Sequence, residues 1–414
     1  MSTTRNRGLA EGAVAVPAGL FALAAGFALA KTGRDAGFLS GGGLSALPAM
    51  YVTVALLSVP FGFGTIGLMR GVGGRRAHAW MSAVTAVALW DLAMRPLVGT
   101  GLRSLAAYVA VPLAFGVLFS LTWLVVPSSV LTRDGQRHPR AFLLAGAAAL
   151  AGGVCGGVVA ALLAPVGWNG LVFAAAGVLV AIGARLVARA PCVIAPAAVA
   201  TPTKAPAAAR PSGPRVLLLV SAAALTAMVG VFVEYRFYAA VVEASPAGDT
   251  IARLAALHIG VNAVALVGLL VTPWLQRHAG IGGALSVLPA AVAAGATGVW
   301  LGGPWTSPAL LRATEGGLKA SVHRVSWEQV QLWLPSTSRP RVKMVLDGMT
   351  TRMAEGAAGL LLWGLLSAGV TPRAVTGVLV VLAATWLAVV ARVWAATAHL
   401  PAGEAHDQGR LPDS

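Results

Sequence analysis

Charged residues that could bind an ion or carry protons are concentrated between residues 312 and 356. This segment of 45 residues holds 11 of the 44 Asp, Glu, Lys and Arg residues of the chain. Residues three or four positions apart share one face of a helix, so the spacing predicts two charged stripes. The first stripe comprises Arg312, Glu315, Lys319 and His323, with Arg324 and Glu328 beside it. The second comprises Lys343, Asp347, Thr351 and Glu355, with Arg352 beside it.

Two further pairs of charges lie outside this segment. Glu234 and Arg236 occur in the apolar run VFVEYRFYAAV, and Asp91 and Arg95 are four residues apart in another apolar run. Such groups either neutralise one another and fix helix packing, or form a polar pathway that binds an anion or relays protons. We favour the structural interpretation for Asp91 and Arg95, and the pathway for the stripes of residues 312–356.

Patterns typical of catalysis are absent from the sequence. It contains no Ser-His-Asp-like arrangement, metal-ligand spacing or phosphate-binding loop, and Cys155 and Cys192 form no disulfide framework. We therefore predict a protein that is not an enzyme and that uses no cofactor and no metal.

The composition is that of a membrane protein. Of the 414 residues, 57% are hydrophobic and 11% are charged, whereas soluble domains carry about 25% charged residues. A helix needs about 20 mainly apolar residues to cross a bilayer. Twelve segments meet that need, at residues 9–30, 48–69, 79–99, 104–127, 141–163, 167–188, 216–241, 251–274, 281–302, 308–333, 343–369 and 373–397. The first ends in FALAAGFALAKTG, which also fits a signal-peptide cleavage site, although its length favours a retained span.

An Ala- and Pro-rich stretch divides these segments into two sets of six. Residues 190–215, APCVIAPAAVATPTKAPAAARPSGPR, lack helical periodicity and are typical of a flexible linker. The fifth and eleventh segments begin alike, with RHPRAFLLAG and SRPRVKMVLD, as expected of paired repeats. We predict an all-α polytopic membrane protein with about 12 transmembrane helices in two six-helix pseudo-repeats. These occupy residues 1–189 and 216–397, joined by the cytoplasmic linker and followed by a cytoplasmic tail, 398–414.

The basic residues predict the orientation in the membrane. Lys and Arg accumulate in cytoplasmic loops, and with both termini in the cytoplasm 19 of the 30 fall on that side. The opposite loops then hold Lys31, Arg34, Arg103, Arg253 and Arg373. The same rule accounts for the net charge of +16 without a nucleic-acid partner. We predict a monomer in the cytoplasmic membrane, and assign the Gly152–Gly156 and Gly153–Gly157 pairs to packing within the chain.

The charges that remain would lie within the spans. A charged side chain at the centre of a bilayer costs about 2.5–3.5 kcal/mol on insertion scales. These residues must therefore face one another, an aqueous vestibule or a ligand. In this assignment the first half contributes almost no basic residue of this kind beyond Arg95.

The loop between the second and third segments resembles a motif of the major facilitator superfamily. Its sequence, GLMRGVGGRR at residues 67–76, is similar to the pattern G-x-x-x-D-R-x-G-R-R. Two glycines and the final Arg75 and Arg76 match, whereas Gly71 and Val72 stand where the pattern has Asp and Arg. The resemblance implies that Arg75 and Arg76 belong to a gate.

The second half resembles the ATP:ADP-antiporter-like branch of that superfamily. The resemblance rests on FVEYRFYAAVVEA, on LHIGVNAVALVGLLVTPWLQRHAGIGGALSVLPAA and on the charged segment, and is strongest over residues 230–360. It implies a pathway that includes Glu234, Arg324 and Glu328. Tyr238 departs from the branch, which tends to carry Lys at that position.

The residues and the resemblance together predict a secondary active transporter, an antiporter that works by alternating access. Its solute would be a small anionic or phosphorylated metabolite or a nucleotide, held by Arg312, Lys319 and Arg324. Acidic residues would balance this charge or relay protons: Glu315, Glu328, Asp347 and Glu355. Two alternatives stay open. One is a proton-coupled exporter of a small amphipathic molecule, with Asp347 or Glu355 as proton carrier, and the other is a non-transporting scaffold or sensor.

Overall fold

The computed structural model is helical throughout the residues that it describes. These are residues 2–39, 43–95, 101–129, 139–166, 169–189, 213–244, 250–303, 306–331, 346 and 349–397. Their α-helices are α1 (Ser2–Leu39), α2 (Leu47–Val72), α3 (Gly74–Met94), α4 (Leu102–Ser129), α5 (Pro139–Leu163), α6 (Asn169–Arg189), α7 (Gly213–Ala244), α8 (Thr250–Trp300), α9 (Thr306–Leu318), α10 (Arg324–Gln331), α11 (Thr351–Ser367) and α12 (Pro372–Thr397). A π-helical turn, Lys319–His323, connects α9 to α10.

Each of the twelve predicted spans overlaps one or more of these helices. The long α8 covers the eighth and ninth spans and is broken between them at Gly280, whose φ of 69° is open to glycine at little cost. The tenth span is formed by α9, the π-helical turn and α10 together. Within the described part of the chain, eight helices are long and apolar enough to cross a bilayer. The all-α polytopic architecture is therefore confirmed. Residues 190–212 of the predicted linker lie outside the described residues, so the domain boundaries stay a prediction.

In the first half, α1 lies at the centre and packs against α4, α5 and α6. Glycines of α5 allow the close approach of α1. A Cβ atom at Gly152 would lie 2.1 Å from the carbonyl oxygen of Phe21, and one at Gly156 would lie 2.4 Å from that of Ala25. The predicted role of these small residues in packing within the chain is confirmed.

The two halves meet through α5 with α8 and through α2 with α11. Both interfaces also depend on small residues. A Cβ atom at Gly153 would lie 2.4 Å from Oδ1 of Asn262 on α8, and one at Gly359 of α11 would lie 2.8 Å from the carbonyl oxygen of Pro48 on α2. These contacts hold α1, α2 and α7 close enough for polar side chains to pair between the halves.

Candidate functional site

Seven charged side chains of alternating sign form a continuous series in the interior of the bundle. In order of contact they are Arg34, Asp35, Lys31, Glu234, Arg312, Glu315 and Lys319, and we call this series the ion chain. The first three are on α1, Glu234 is on α7, and the last three are on α9 and the first position of the π-helical turn. The series therefore connects the first half of the molecule to the second.

At the α1 end, Asp35 is held between two cations. Its Oδ1 accepts hydrogen bonds from both Nε, at 2.7 Å, and Nη2 of Arg34, and its Oδ2 accepts one from Nζ of Lys31 at 2.8 Å. The guanidinium of Arg34 also stacks on the ring of Tyr108, 4.1 Å from the ring centroid, and donates to the Tyr108 carbonyl oxygen at 3.4 Å. Because Arg34 and Asp35 are buried, this pairing offsets their loss of water.

The crossing between the halves is made at Glu234. Its Oε1 lies 3.0 Å from Nζ of Lys31, and its Oε2 accepts a hydrogen bond from the Tyr51 hydroxyl of α2 at 2.8 Å. Tyr238, one turn further along α7, donates its hydroxyl proton to Oδ2 of Asp35 at 2.5 Å. The same hydroxyl oxygen lies 3.0 Å from Nζ of Lys31, which donates to it. Two helices of the first half are thus tied to α7 by ion pairs and hydrogen bonds.

On the other side of Glu234 the ion chain continues along α9. Nη2 of Arg312 lies 3.2 Å from Oε1 of Glu234, and Nη1 of Arg312 donates to Oε2 of Glu315. The series ends at Lys319, whose Nζ lies 3.5 Å from Oε1 of Glu315. The predicted i,i+3 and i,i+4 spacing of Arg312, Glu315 and Lys319 therefore brings these three side chains together.

A cavity of about 200 Å³ lies beside the ion chain and is lined by both halves. Phe27, Tyr51, Tyr108 and Pro112 form an apolar and aromatic wall in the first half. Charged residues of the ion chain line the cavity from both halves, and α11 adds Arg352 and Glu355, which form an ion pair of 2.8 Å. The cavity can therefore hold a small molecule that presents both an apolar part and a polar or charged group.

The predicted loop positions of Lys31 and Arg34 are wrong. The first helix does not end near residue 30 but continues to Leu39, and the stretch KTGRDAGFL is part of its buried face. A hydropathy window counts each charge as a cost, whereas here neighbouring charges neutralise one another. The expectation that the first half is poor in interior cations is wrong for the same reason. The i,i+4 spacing of Lys31 and Asp35 was the available signal.

The predicted charged face does not extend to His323. His323 is the last residue of the π-helical turn, Lys319–His323, and it does not line the cavity that Lys319 lines. The buried His323 ring instead lies 6.0 Å from the ring of Trp327 and 5.7 Å from that of Trp386, between ring centroids. His323 is therefore in contact with aromatic packing rather than with the cavity.

Arg324 and Glu328 form an ion pair of 3.0 Å outside the cavity. Arg236, two residues after Glu234, does not line the cavity either, and its Nε and Nη1 have no hydrogen-bond partner in the described part of the chain. Of the second stripe, Lys343 and Asp347 lie outside the described residues.

The other predicted ion pair and the loop motif lie apart from the cavity. Asp91 is 3.6 Å from Nε of Arg95, as its spacing predicts, but it lies closer to Nη2 of Arg103, at 2.5 Å. In the loop motif, Arg75 donates to the carbonyl oxygen of Ala188 at the end of α6, and both arginines of the motif, Arg75 and Arg76, are exposed. The gating role of these residues stays a prediction.

Comparison with known proteins gives matches of structure and none of sequence. No known protein family and no curated protein matches the sequence. A solved structure of a mutant of the nucleoside transporter NupG matches with a TM-score of 0.67 and 13% identity over 92% of this chain and 99% of that one. A second structure of the nucleoside transporter NupG gives 0.62 and 12% over 92% and 98%. The chain therefore has the fold of a major facilitator-type transporter.

Proposed function

We propose that this chain is a secondary active transporter that moves a small solute across a membrane by alternating access. The observation that carries the proposal is the ion chain, which crosses between the halves beside a cavity that both halves line. Transporters built from two repeats place their substrate site at the repeat interface, and access changes when one repeat rocks against the other. Rocking of this kind would separate Lys31 from Glu234, so their contact is suited to act as a gate.

The energetics of the ion chain would couple this gate to a ligand. A charge left unpaired in the interior of a membrane protein is costly. Separation of Lys31 from Glu234 is therefore unfavourable unless water, a proton or the solute replaces the lost partner. A solute that contacts the cations of the ion chain would supply that replacement, and its binding would favour the change of access.

The chemistry of the cavity supports a small organic solute with a polar or negatively charged group. The solved structures that are similar to this chain are described as nucleoside transporters, and a nucleoside combines a planar base with polar groups. We propose Arg312 and Lys319 as the cations that contact the solute, and Glu315 and Glu355 as the groups that balance charge. A phosphorylated metabolite or nucleotide, and antiport as in the ATP:ADP-antiporter-like branch, stay predictions.

We further propose that the protein works as a monomer in the cytoplasmic membrane, with both termini in the cytoplasm. The distribution of Lys and Arg supports this orientation. The resemblance to transporters supports transport rather than catalysis.

Exchange of labelled solutes in proteoliposomes tests the proposal. The purified chain would be reconstituted and loaded with each member of a panel of adenosine, uridine, AMP, ATP, and benzoate and nicotinate with their amides. We expect faster exchange than in protein-free liposomes for at least one solute. We also expect that Glu234→Gln lowers this exchange, because it weakens the Lys31–Glu234 contact between the two halves. Arg324→Gln, which lies outside the cavity, should not lower it. Exchange no faster than in protein-free liposomes for the whole panel contradicts the proposal.

A second candidate function is proton-coupled export of a small amphipathic molecule. The observation that favours it is the carboxylate of Glu355, which lines the cavity in contact with Arg352. Transport that collapses with a protonophore and that nucleosides and nucleotides do not inhibit would support this candidate. The remaining alternative, a scaffold or sensor without transport, is disfavoured by the cavity between the halves.

A further inference from the structure

The two ends of the ion chain differ in how well their cations are compensated. Arg34 donates two hydrogen bonds to Oδ1 of Asp35 and also contacts the ring and the carbonyl oxygen of Tyr108. Lys319 has one carboxylate within 4 Å among the described residues, Oε1 of Glu315 at 3.5 Å, and that carboxylate is already bound by Arg312. The side chain of Lys319 is 38% exposed and lines the cavity. Both ends line the cavity, and the Lys319 end is the less compensated of the two.

The charges of the ion chain do not cancel. It holds four cations and three carboxylates, and the neighbouring Arg352 and Glu355 neutralise each other. With all of these groups ionised, the described residues of the site are left with one positive charge. A surplus charge in a poorly hydrated interior favours the binding of a counter-ion. A ligand with one negative charge would neutralise this surplus, whereas a ligand with three or four negative charges would leave the site with a net negative charge.

The space next to Lys319 is kept open by a glycine. A Cβ atom at Gly230 of α7 would lie 3.2 Å from Nζ of Lys319 and 3.3 Å from Oε1 of Glu315. Gly230 also lines the cavity, so a side chain here would occupy the position from which a ligand reaches Lys319. Lys319 is moreover the first residue of the π-helical turn, and such turns are frequent at functional sites.

The rest of the cavity limits the ligand further. Its volume of about 200 Å³ is below the 300–1,000 Å³ or so that is usual for pockets that bind drug-sized ligands. The lining also contains the rings of Phe27 and Tyr108, and the Tyr108 ring stacks on Arg34. These rings fit the apolar or planar part of a small molecule.

We infer that the transported solute is a small organic monoanion whose charged group binds Lys319 in the space that Gly230 leaves open. This inference rests on the proposed transport function and specifies its substrate class. Lys319 is the residue that selects for negative charge, and Gly230 selects for the size of the charged group.

Matched acids and amides test this inference, because each pair differs by one charge at nearly constant shape. Benzoate and benzamide, and nicotinate and nicotinamide, would be compared in the proteoliposome exchange assay. We expect wild-type protein to favour the acid by about tenfold or more, the size of one hydrogen bond to a charged group. Lys319→Met should reduce this ratio to about one, and Lys319→Arg should preserve part of it.

Two further variants separate this role from a general effect on folding. Gly230→Ala fills the space but leaves the charge, so we expect it to weaken exchange of the acid more than exchange of the amide. Arg324→Met removes a cation outside the cavity and should leave the ratio unchanged. If Lys319→Met does not fold, the ratio measured with Gly230→Ala decides the matter.

The outcomes distinguish this inference from the proposal beneath it. A wild-type protein that exchanges no member of the panel contradicts transport itself. If the wild-type protein exchanges solutes but favours the amides, adenosine or ATP, only the inference that the solute is a monoanion is overturned. An acid-to-amide ratio that Lys319→Met and Gly230→Ala both leave unchanged overturns the assignment of Lys319.

Discussion

Helix α1 and the segment at the C-terminal end of α3 each present a cation and a carboxylate four residues apart, and the two pairs have opposite surroundings. On α1, the side chains of Lys31 and Asp35 are 14% and 1% exposed, and their atoms are 2.8 Å apart. At the end of α3, those of Arg95 and Asp91 are 72% and 52% exposed and 3.6 Å apart. The same spacing thus gives a buried part of an interior series in one helix and a loose surface pair in the other.

The difference arises from what surrounds each helix. The first is enclosed by α4, α5 and α6 and faces α7, so every polar atom of Lys31 and Asp35 must find a partner within the protein. The third packs on α4 and α6 and ends at Met94, one residue before Arg95. Spacing therefore predicts which side chains can form a pair, whereas the burial of the helix in the bundle determines how much that pair contributes to stability.

The largest difference between the two ion pairs is expected when the cation of each pair is removed. Lys31→Met leaves the carboxylates of Asp35 and Glu234 near each other without the cation between them. We expect a loss of about 3–5 kcal/mol in the free energy of unfolding, as for other broken buried ion pairs. Arg95→Met should change it by less than about 1 kcal/mol. Thermal unfolding of the purified proteins in detergent measures both, and equal effects would contradict the distinction.

A second test targets the contact that encloses α1. Gly152→Ala would place a Cβ atom 2.1 Å from the carbonyl oxygen of Phe21, a backbone atom that cannot rotate away. We expect a loss of about 2–3 kcal/mol, in the range of other overpacked sites. On the same helix, a Cβ atom at Gly146 would have nothing within 4 Å. Gly146→Ala should therefore be neutral or stabilising by up to about 1 kcal/mol. The unfolding temperature should fall for Gly152→Ala and stay the same or rise for Gly146→Ala, and a similar fall in both would refute the close approach of α1 and α5.

A smaller effect is expected from a single hydroxyl that contacts the ion chain. Tyr238→Phe removes the hydrogen bond to Asp35, and the one that the hydroxyl accepts from Lys31, without changing the ring or any charge. A hydrogen bond to a charged group contributes about 1.5–3 kcal/mol, and we expect a loss near the lower limit because Lys31 and Arg34 still hold Asp35. Tyr235→Phe on the same helix is the control, since Tyr235 is also buried and the described structure shows no hydrogen bond from its hydroxyl to the ion chain. Unfolding in detergent should separate the two variants, and an equal change would argue against the role of the Tyr238 hydroxyl.

The sequence predicts the helices well because span length and composition are local properties. Within the described residues all twelve spans coincide with helical segments, and Arg312, Glu315 and Lys319 meet as their spacing predicts. The N-terminal part of the site was missed because charge in α1 was interpreted as the end of a span. The neutralising partners Glu234 and Tyr238 are about two hundred residues away in the chain, and no local pattern shows that they are neighbours.

The position of His323 illustrates a second limit of a local sequence pattern. An extrapolated helical repeat assumes that every turn is an α-helical turn, and the π-helical turn at Lys319–His323 breaks that assumption. The sequence-based assignment of Arg324 to the solute pathway rests on its position beside the first charged stripe and on the resemblance to the ATP:ADP-antiporter-like branch. The structure provides a direct contrast, because Lys319 lines the cavity and Arg324, five residues later, does not.

The smallest effect is expected at Arg324, which, unlike Lys319, does not line the cavity. Arg324 is 58% exposed, and its partner Glu328 lies at i,i+4, as Asp91 and Arg95 do. Exposed pairs at this spacing contribute about 0.3–0.5 kcal/mol, so Arg324→Gln should lower the free energy of unfolding by about that amount or less. Its effect on solute exchange in proteoliposomes should lie within the error of the measurement. A loss of exchange as large as that caused by Lys319→Met would mean that Arg324 enters the solute pathway in the opposite-facing conformation, where an exposed position in one state becomes part of the site in the other.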